Sequence, residues 1–204
     1  AGRAGPRRLT AARGQLRWVI GRGTDVLFSS DVSDQDGIPL TYNKVLQVKP
    51  GFQVDNPSVL REVRTSTLAS GRVFQYGTSA RLTTTLNPST KLVSLTAFRG
   101  LDNEYLADAD ITELDLLTAH VTETQHQWLE ELTLTHQRSR VTSIAGAFFF
   151  GEGDRQTIEA DQPPTGVRVL LDPQVDARSV AAFGQTTLDL TSRLSATMGL
   201  RYTQ

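Results

Sequence analysis

The connections along this chain alternate strictly between short and long, and that alternation limits the folds open to it more than any other feature. Eight segments read as strands, and they come in pairs: 14–20 with 24–33, 75–86 with 91–99, 126–137 with 140–151, and 178–190 with 193–204. Within each pair the break is two to four residues of turn chemistry: Gly21-Arg22-Gly23, Asn87-Pro88-Ser89-Thr90, Arg138-Ser139 and Thr191-Ser192. Such breaks are hairpin turns. Between pairs the connections 34–74, 100–125 and 152–177 are rich in Pro and Asp (DQDGIP, KPGFQVDNP, LDNEYLADAD, EADQPPTG). A soluble sandwich has no reason to sort its loops by length onto two ends. A membrane barrel does, with short turns on one side and long loops on the other.

The strands themselves read the same way. From Leu194 onward every second residue is apolar: Leu194, Ala196, Met198, Leu200, Tyr202. A helix would scatter that set around its circumference, whereas a strand puts it on one face. In 75–86 Tyr76, Ala80, Leu82 and Leu86 share one parity and Gln75, Ser79 and Arg81 the other. In 24–33 both aspartates, Asp25 and Asp31, are odd, opposite Val26, Phe28 and Val32. An ionised side chain facing hydrocarbon at mid-depth costs about 2–4 kcal/mol, so the parity matters. Each segment is also near the roughly 9–11 residues that a tilted strand needs to cross a bilayer core. Two segments leave their facing open. In 140–151 Ile144, Phe148 and Phe150 oppose Val141, Ala145 and Phe149, and in 91–99 Leu92, Ser94, Thr96 and Phe98 oppose Val93, Leu95 and Ala97. The mixed spacing of 107–123 also admits a short helix.

The expected fold is therefore all-β: an antiparallel up-and-down meander of about eight strands, belonging to a larger transmembrane barrel and open by itself. No apolar run reaches the length of a membrane helix; the longest is IAGAFFF at 144–150. The basic AGRAGPRRLTAARG start has no apolar stretch behind it and is not a secretory signal, and both ends read as cut, so the chain is expected to be a fragment. An open sheet with two unpaired edges and one greasy face is expected to aggregate alone. The 21 basic and 22 acidic residues balance, leaving no footprint for nucleic acid, and the absence of Cys excludes disulfide and thiolate metal sites.

Three stretches resemble one family. VAAFGQTTLDLTSRLSATMGLRYTQ (180–204) is similar to a signature barrel segment of TonB-dependent outer-membrane receptors, an Ala-Phe-Gly-Gln strand, an Asp-Leu-Thr-x-Arg turn and a Gly-Leu-Arg-Tyr-Thr strand. EELTLTHQRSRVTSIAGAFFFGE (130–152) and KLVSLTAFRGLDNEYLADAD (91–110) resemble the family's preceding hairpin and strand, in the family's order, with RGQLRW (13–18) and DVSDQDG (31–37) upstream. The resemblance implies a 22-strand barrel enclosing an N-terminal plug and monomeric when full-length. It implies a Gram-negative outer-membrane location and active uptake of a large scarce ligand such as a ferric siderophore, energised through the TonB complex. No plug and no TonB-contacting segment is found here, so the loops 34–74, 100–125 and 152–177 would face outside and help capture ligand. A passive porin-type channel shares the loop asymmetry, and a soluble or secreted adhesion module is the rival from another class.

Candidate functional residues are few. Arg81, Glu131, Gln185, Arg193 and Arg201 are expected to face a water-filled lumen, where they contact plug and ligand or form a polar wall. Trp18, Trp128, Phe149 and Tyr202 are candidates for interfacial aromatic girdles. His120, Glu123 and His126 lack spacing that enforces metal geometry, and Asp108, Asp110, Glu113 and Asp115 lack the Gly and closing Glu of an EF-hand. The Gly-x-Gly at 21–23 is a turn, since no helix follows it. With no nucleophile elbow or catalytic constellation, neither an enzyme nor a cofactor is expected.

Overall fold

A computed structural model describes residues 8–37, 65–110 and 114–204. The described chain forms one antiparallel sheet of nine strands: β1 (Arg8–Gly21), β2 (Thr24–Asp36), β3 (Ser70–Asn87), β4 (Thr90–Asp108), β5 (Thr118–Arg138), β6 (Val141–Gln162), β7 (Val167–Leu171), β8 (Gln174–Asp189) and β9 (Ser195–Thr203). The order is β1-β2-β3-β4-β5-β6-β8-β9, with β7 continuing the β8 edge along the far end of β6. Among the described residues strands touch only their neighbours in this sheet, no second layer packs across either face, and the sheet does not close on itself. Among the described residues the only buried apolar side chains are Val121 and Ala181.

The hairpin turns fall where expected. Gly23, at φ 86°, and Ser139, at φ 51°, take the left-handed conformation that tight reversals demand. The long connections are a different matter. The segment 100–125 is mostly strand: β4 and β5 stay paired out to Asp108 and Thr118. The segment 152–177 is too: β6 runs to Gln162, turns at 163–166, and returns as β7 and the start of β8. Of 34–74, residues 34–36 and 70–74 are strand and 38–64 lie outside the described residues. The chain therefore has nine described strands rather than eight, and four of them run 18–22 residues. The physical reason is plain: these extensions carry polar residues on both faces, so they show no apolar alternation, yet in-register hairpins keep pairing in water. The helix considered over 107–123 does not form at Ala107–Asp108 or Thr118–Glu123, which are strand; residues 111–113 lie outside the described residues.

Register resolves the facings that parity left open. In β4, Phe98 pairs with Trp128 and Leu92 with Leu134. In β6, Ala147 pairs with Leu132 and Ala182, and Ala182 with Tyr202. The even set of β4 and the odd set of β6 therefore share a face with Met198 and Leu200. Ile144, Phe148 and Phe150 share the opposite face with Arg201, through Phe148–Ala181–Thr203 and Gly146–Phe183–Arg201.

The turns are staggered. The level of Thr24, where the first hairpin closes, passes through Thr84, Leu92, Leu134, Ala145, Gly184 and Leu200. β3 runs past that level to Asn87, β5 to Arg138 and β8 to Asp189. From Gly184 to Asp189 is five residues, across the five strand steps from β2 to β8. The slip is uneven, three of the five residues falling between β2 and β3; its average of about one residue per strand, at about 3.3 Å per residue and 4.8 Å between strands, puts the turns on a line to which the strands tilt by roughly 35°.

Candidate functional site

The sheet presents two chemically distinct faces. On the first lie Trp18, Phe28, Tyr76, Phe98, Trp128, Leu132, Leu134, Phe149, Met198, Leu200 and Tyr202, assigned by the register above. Met198 and Leu200 are each 82% exposed. All four girdle candidates, Trp18, Trp128, Phe149 and Tyr202, fall on this face. An aromatic row crosses it: Tyr76 tilts against Phe74 and Phe98, and Phe98 meets both His126 and Trp128 at ring-centroid distances of 6.0 and 6.4 Å. Gly100 makes the row possible, because a Cβ there would sit 2.3 Å from the Tyr76 ring.

This row stands seven to eleven residues from the turns. Tyr76 stands 11 residues before Asn87, Phe98 eight after Thr90 and Trp128 ten before Arg138. Phe149 stands eight after Val141 and Tyr202 seven after Ser195. On strands tilted by roughly 35°, seven to eleven residues rise about 19–30 Å. Between row and turns this face mixes apolar side chains with hydroxyls such as Thr84, Ser94, Thr96, Ser143 and Thr186, and it holds one carboxylate. Glu130 lies there one pair below Trp128, its carboxylate accepting hydrogen bonds from Thr96 Oγ1 at 2.6 Å and Ser94 Oγ at 3.3 Å. The adjacent Glu130 and Glu131 must face opposite ways, and nothing in the sequence flagged that both faces would hold a carboxylate.

The second face carries the ionised groups. Arg81, Glu131, Gln185 and Arg201 all lie on it. They do not converge. Arg81 and Glu131 are level but separated by Leu95, two strand spacings apart, or about 10 Å. Gln185 and Arg201 are several strands further on. Glu131 accepts from Thr133 Oγ1, and the Arg201 guanidinium lies 5.5 Å from the Phe148 ring centre and 5.8 Å from that of Phe183. Arg193 is not on the wall at all; it sits in the β8–β9 turn. Along β5 exposure alternates, the Trp128 face being the more open, which is the pattern of a sheet bent toward its ionised side.

Above the aromatic row this second face holds a polar ladder, of which Asn103, Glu123, Gln125, Glu152 and Asp154 lie in segments expected to be loops. Asp31 pairs with Arg99, Asn103 donates to Glu123, and Gln125 and Gln127 both donate to Glu152. Asp154 completes it, with an Oδ1 atom that is buried and has no hydrogen-bond partner. Burial, and then the neighbouring Glu123 and Glu152, hold the Asp154 carboxyl above its ordinary range. The alternation Gln125, Gln127 against Thr124, His126 was the available signal. It went unread because neither parity is apolar.

The residues weighed for metal binding go elsewhere. His120 contacts Glu104 at 3.0 Å, His126 stacks on Phe98, and Glu123 projects from the opposite face. Asp108 accepts from the backbone and hydroxyl of Ser66, and Asp110 from the Leu116 and Leu117 amides. Asp110 ties down the β4–β5 connection, and Asp108 ties the segment before β3 to the end of β4. Glu113 lies outside the described residues. No known protein family, characterised protein or solved structure matches this chain.

Proposed function

We propose that this chain is a wall segment of an outer-membrane β-barrel of the TonB-dependent receptor type, serving active uptake of a large scarce ligand such as a ferric siderophore. The observation that carries the membrane reading is the uncovered apolar face, bounded by staggered turns on one side and an aromatic row on the other. The separation of roughly 19–30 Å brackets the ~25 Å apolar band of outer-membrane barrels, and the tilt of roughly 35° is theirs as well. Every backbone amide in hydrocarbon needs a partner within the wall, so the free edges of β1 and of β7–β9 call for further strands. The ionised face then lines a wet interior, with Arg81, Glu131, Gln185 and Arg201 as a dispersed polar wall toward plug and ligand. The extensions beyond the aromatic row project outside as tall hairpins.

The receptor type, rather than a passive channel, rests on the ordered similarity of 91–110, 130–152 and 180–204 to that family. The test uses the full-length protein in its bacterium. Outer-membrane fractionation with heat-modifiable migration in gels, and ligand uptake abolished by a protonophore, are the expected results. Uptake indifferent to the protonophore would replace the receptor with a passive channel, and recovery in the soluble fraction would overturn the membrane reading altogether.

A further inference from the structure

Among the described residues Glu130 is the one carboxylate on the apolar face between the aromatic row and the turns, and it stands in a recess. Every other even-numbered residue of β5 from Thr122 to Arg138 is exposed, Trp128 and Leu132 each to 46%, whereas Glu130 is half-buried between them. Register builds the recess on one face. Thr96 of β4 and Phe149 of β6 are the direct cross-strand partners of Glu130. Phe98 and Ser94 are its diagonal neighbours on β4, Phe98 being paired with Trp128 and Ser94 with Leu132. Directly opposite side chains start about 5 Å apart, and diagonal ones about 7–8 Å. Thr96 Oγ1 and Ser94 Oγ donate at 2.6 and 3.3 Å to different oxygens of the carboxylate and so hold it from the β4 side. Phe98 and Trp128 stand above it and Phe149 beside it. No Lys, Arg or His among the described residues forms an ion pair with it.

We propose that this recess binds the primary ammonium of a zwitterionic phospholipid of the phosphatidylethanolamine kind. The inference rests on the membrane reading above, on which the aromatic row stands at head-group level. Glu130 is two residues nearer the turns, a rise of about 5 Å on strands tilted by roughly 35°, so its occupant comes from the head-group layer. An ionisable side chain at that depth calls for a partner. A phosphate is repelled by the carboxylate, whereas an ammonium is attracted to it. The two carboxylate oxygens offer about four lone-pair sites, of which the hydroxyls of Thr96 and Ser94 use two, and charged N–H donors suit the rest. The neighbouring Trp and Phe rings add their own attraction for a cation. A choline head group brings the charge without any N–H, so hydrogen bonding is what separates ethanolamine from choline here.

The test uses the full-length protein reconstituted in phosphatidylcholine vesicles and reads the fluorescence of Trp128, taken as the difference between native protein and Trp128→Phe. Phosphatidylethanolamine and phosphatidylcholine brominated on the acyl chain, both without net charge, are compared as quenchers in equal amounts. The ethanolamine lipid should quench Trp128 roughly threefold more effectively. Glu130→Gln should bring the two lipids to parity while heat-modifiable migration persists. Glu131→Gln, next in sequence but on the ionised face, should leave the preference intact. Equal quenching by the two lipids, an undiminished preference in Glu130→Gln, or a preference lost equally in Glu131→Gln would each overturn the ammonium site. Failure of the native protein to give a heat-modifiable form in any vesicle would instead overturn the membrane reading.

Discussion

The lower part of the sheet, between the turns and the aromatic row, and its upper part beyond that row are built from the same strands by different rules. Below, one face carries apolar side chains and hydroxyls, and of the carboxylates only Glu130 stands on it, the rest keeping to the other. Above, both faces are polar: Asp34, Arg72, Glu104 and His120 stand on the side that carries Leu132 and Met198 lower down, and Asp31, Arg99, Glu123 and Glu152 on the other. Cross-strand hydrogen bonding runs through both regions without a break. The backbone ladder thus does not distinguish them; only the side chains record a change of surroundings, and it falls at Tyr76, Phe98, Trp128 and Phe149. On the proposed membrane reading, this is the pattern of a single sheet that passes from hydrocarbon into water on one face, with water throughout on the other.

The sharpest way to break that comparison is to place one charge at two heights on one face of one strand. Leu132 and Thr122 both lie on the apolar side of β5, ten residues apart, with Trp128 between them. Leu132→Arg should lower folding stability in vesicles by about 2–4 kcal/mol, read by urea titration of heat-modifiable mobility. Thr122→Arg should be within about 0.5 kcal/mol of the native protein. Thr133→Arg, next in sequence to Leu132 but on the ionised face, should likewise be tolerated. Equal costs for Leu132→Arg and Thr122→Arg would mean that no boundary lies at the aromatic row.

A second contrast concerns how tightly each region is packed. A Cβ at Gly146, in the lower region, would lie 2.3 Å from the Phe183 ring and 2.8 Å from the Leu132 carbonyl oxygen. The ring can swing away, but the backbone oxygen belongs to the β5–β6 ladder and cannot. Gly146→Ala should therefore cost about 1–3 kcal/mol. At Gly153, in the upper region, the nearest atom is an Asp176 carboxylate oxygen at 3.6 Å, an ordinary contact. Gly153→Ala should be close to neutral in the same titration, and a cost matching that of Gly146→Ala would remove the packing difference.

The lower region was the legible one, for the same physical reason. Alternation can be read only where the two faces meet different solvents, so Met198, Leu200 and Arg201, or Tyr76 and Arg81, declared their sides from sequence alone. Beyond the aromatic row Asp102, Asn103, Glu104 and Thr122, Glu123, Thr124 alternate between water and water, and the strands there read as loops. Ile144 and Phe148 defeated parity differently. Their neighbours across the sheet include Phe183, so the ionised face is itself partly apolar under Arg201. Only register, fixed by the Ser139 turn and the pairing with β5, assigns that strand. Arg193 was read as wall because its parity matches Arg201, but the strand starts two residues later, at Ser195.

The upper region makes its own predictions, in pH rather than in lipid. Asp154 holds its proton to a higher pH than a free aspartate, chiefly through burial and then through Glu123 and Glu152. Its ionisation therefore destabilises the folded form as pH rises from about 4, the unfolded value, through the raised folded value. Asp154→Asn should be more stable than the native protein at pH 7, by less than the Gly146→Ala cost, with the gain vanishing below about pH 4. Asp34 has the opposite sign: the hydrogen bond from Arg72, at 2.8 Å to each carboxylate oxygen, holds its carboxyl below the ordinary range. Its contribution is fully present above about pH 4 and lost as pH falls through the depressed value. The pair is open to solvent, so salt screens it, and Asp34→Asn should produce the smallest change of all, shrinking further in 0.5 M salt. A pH titration of urea midpoints for the two variants should show opposite slopes. Parallel slopes would mean that burial and ion pairing do not divide the upper hairpins between an inner and an outer side, and the ionised face would lose its claim to be the more enclosed of the two.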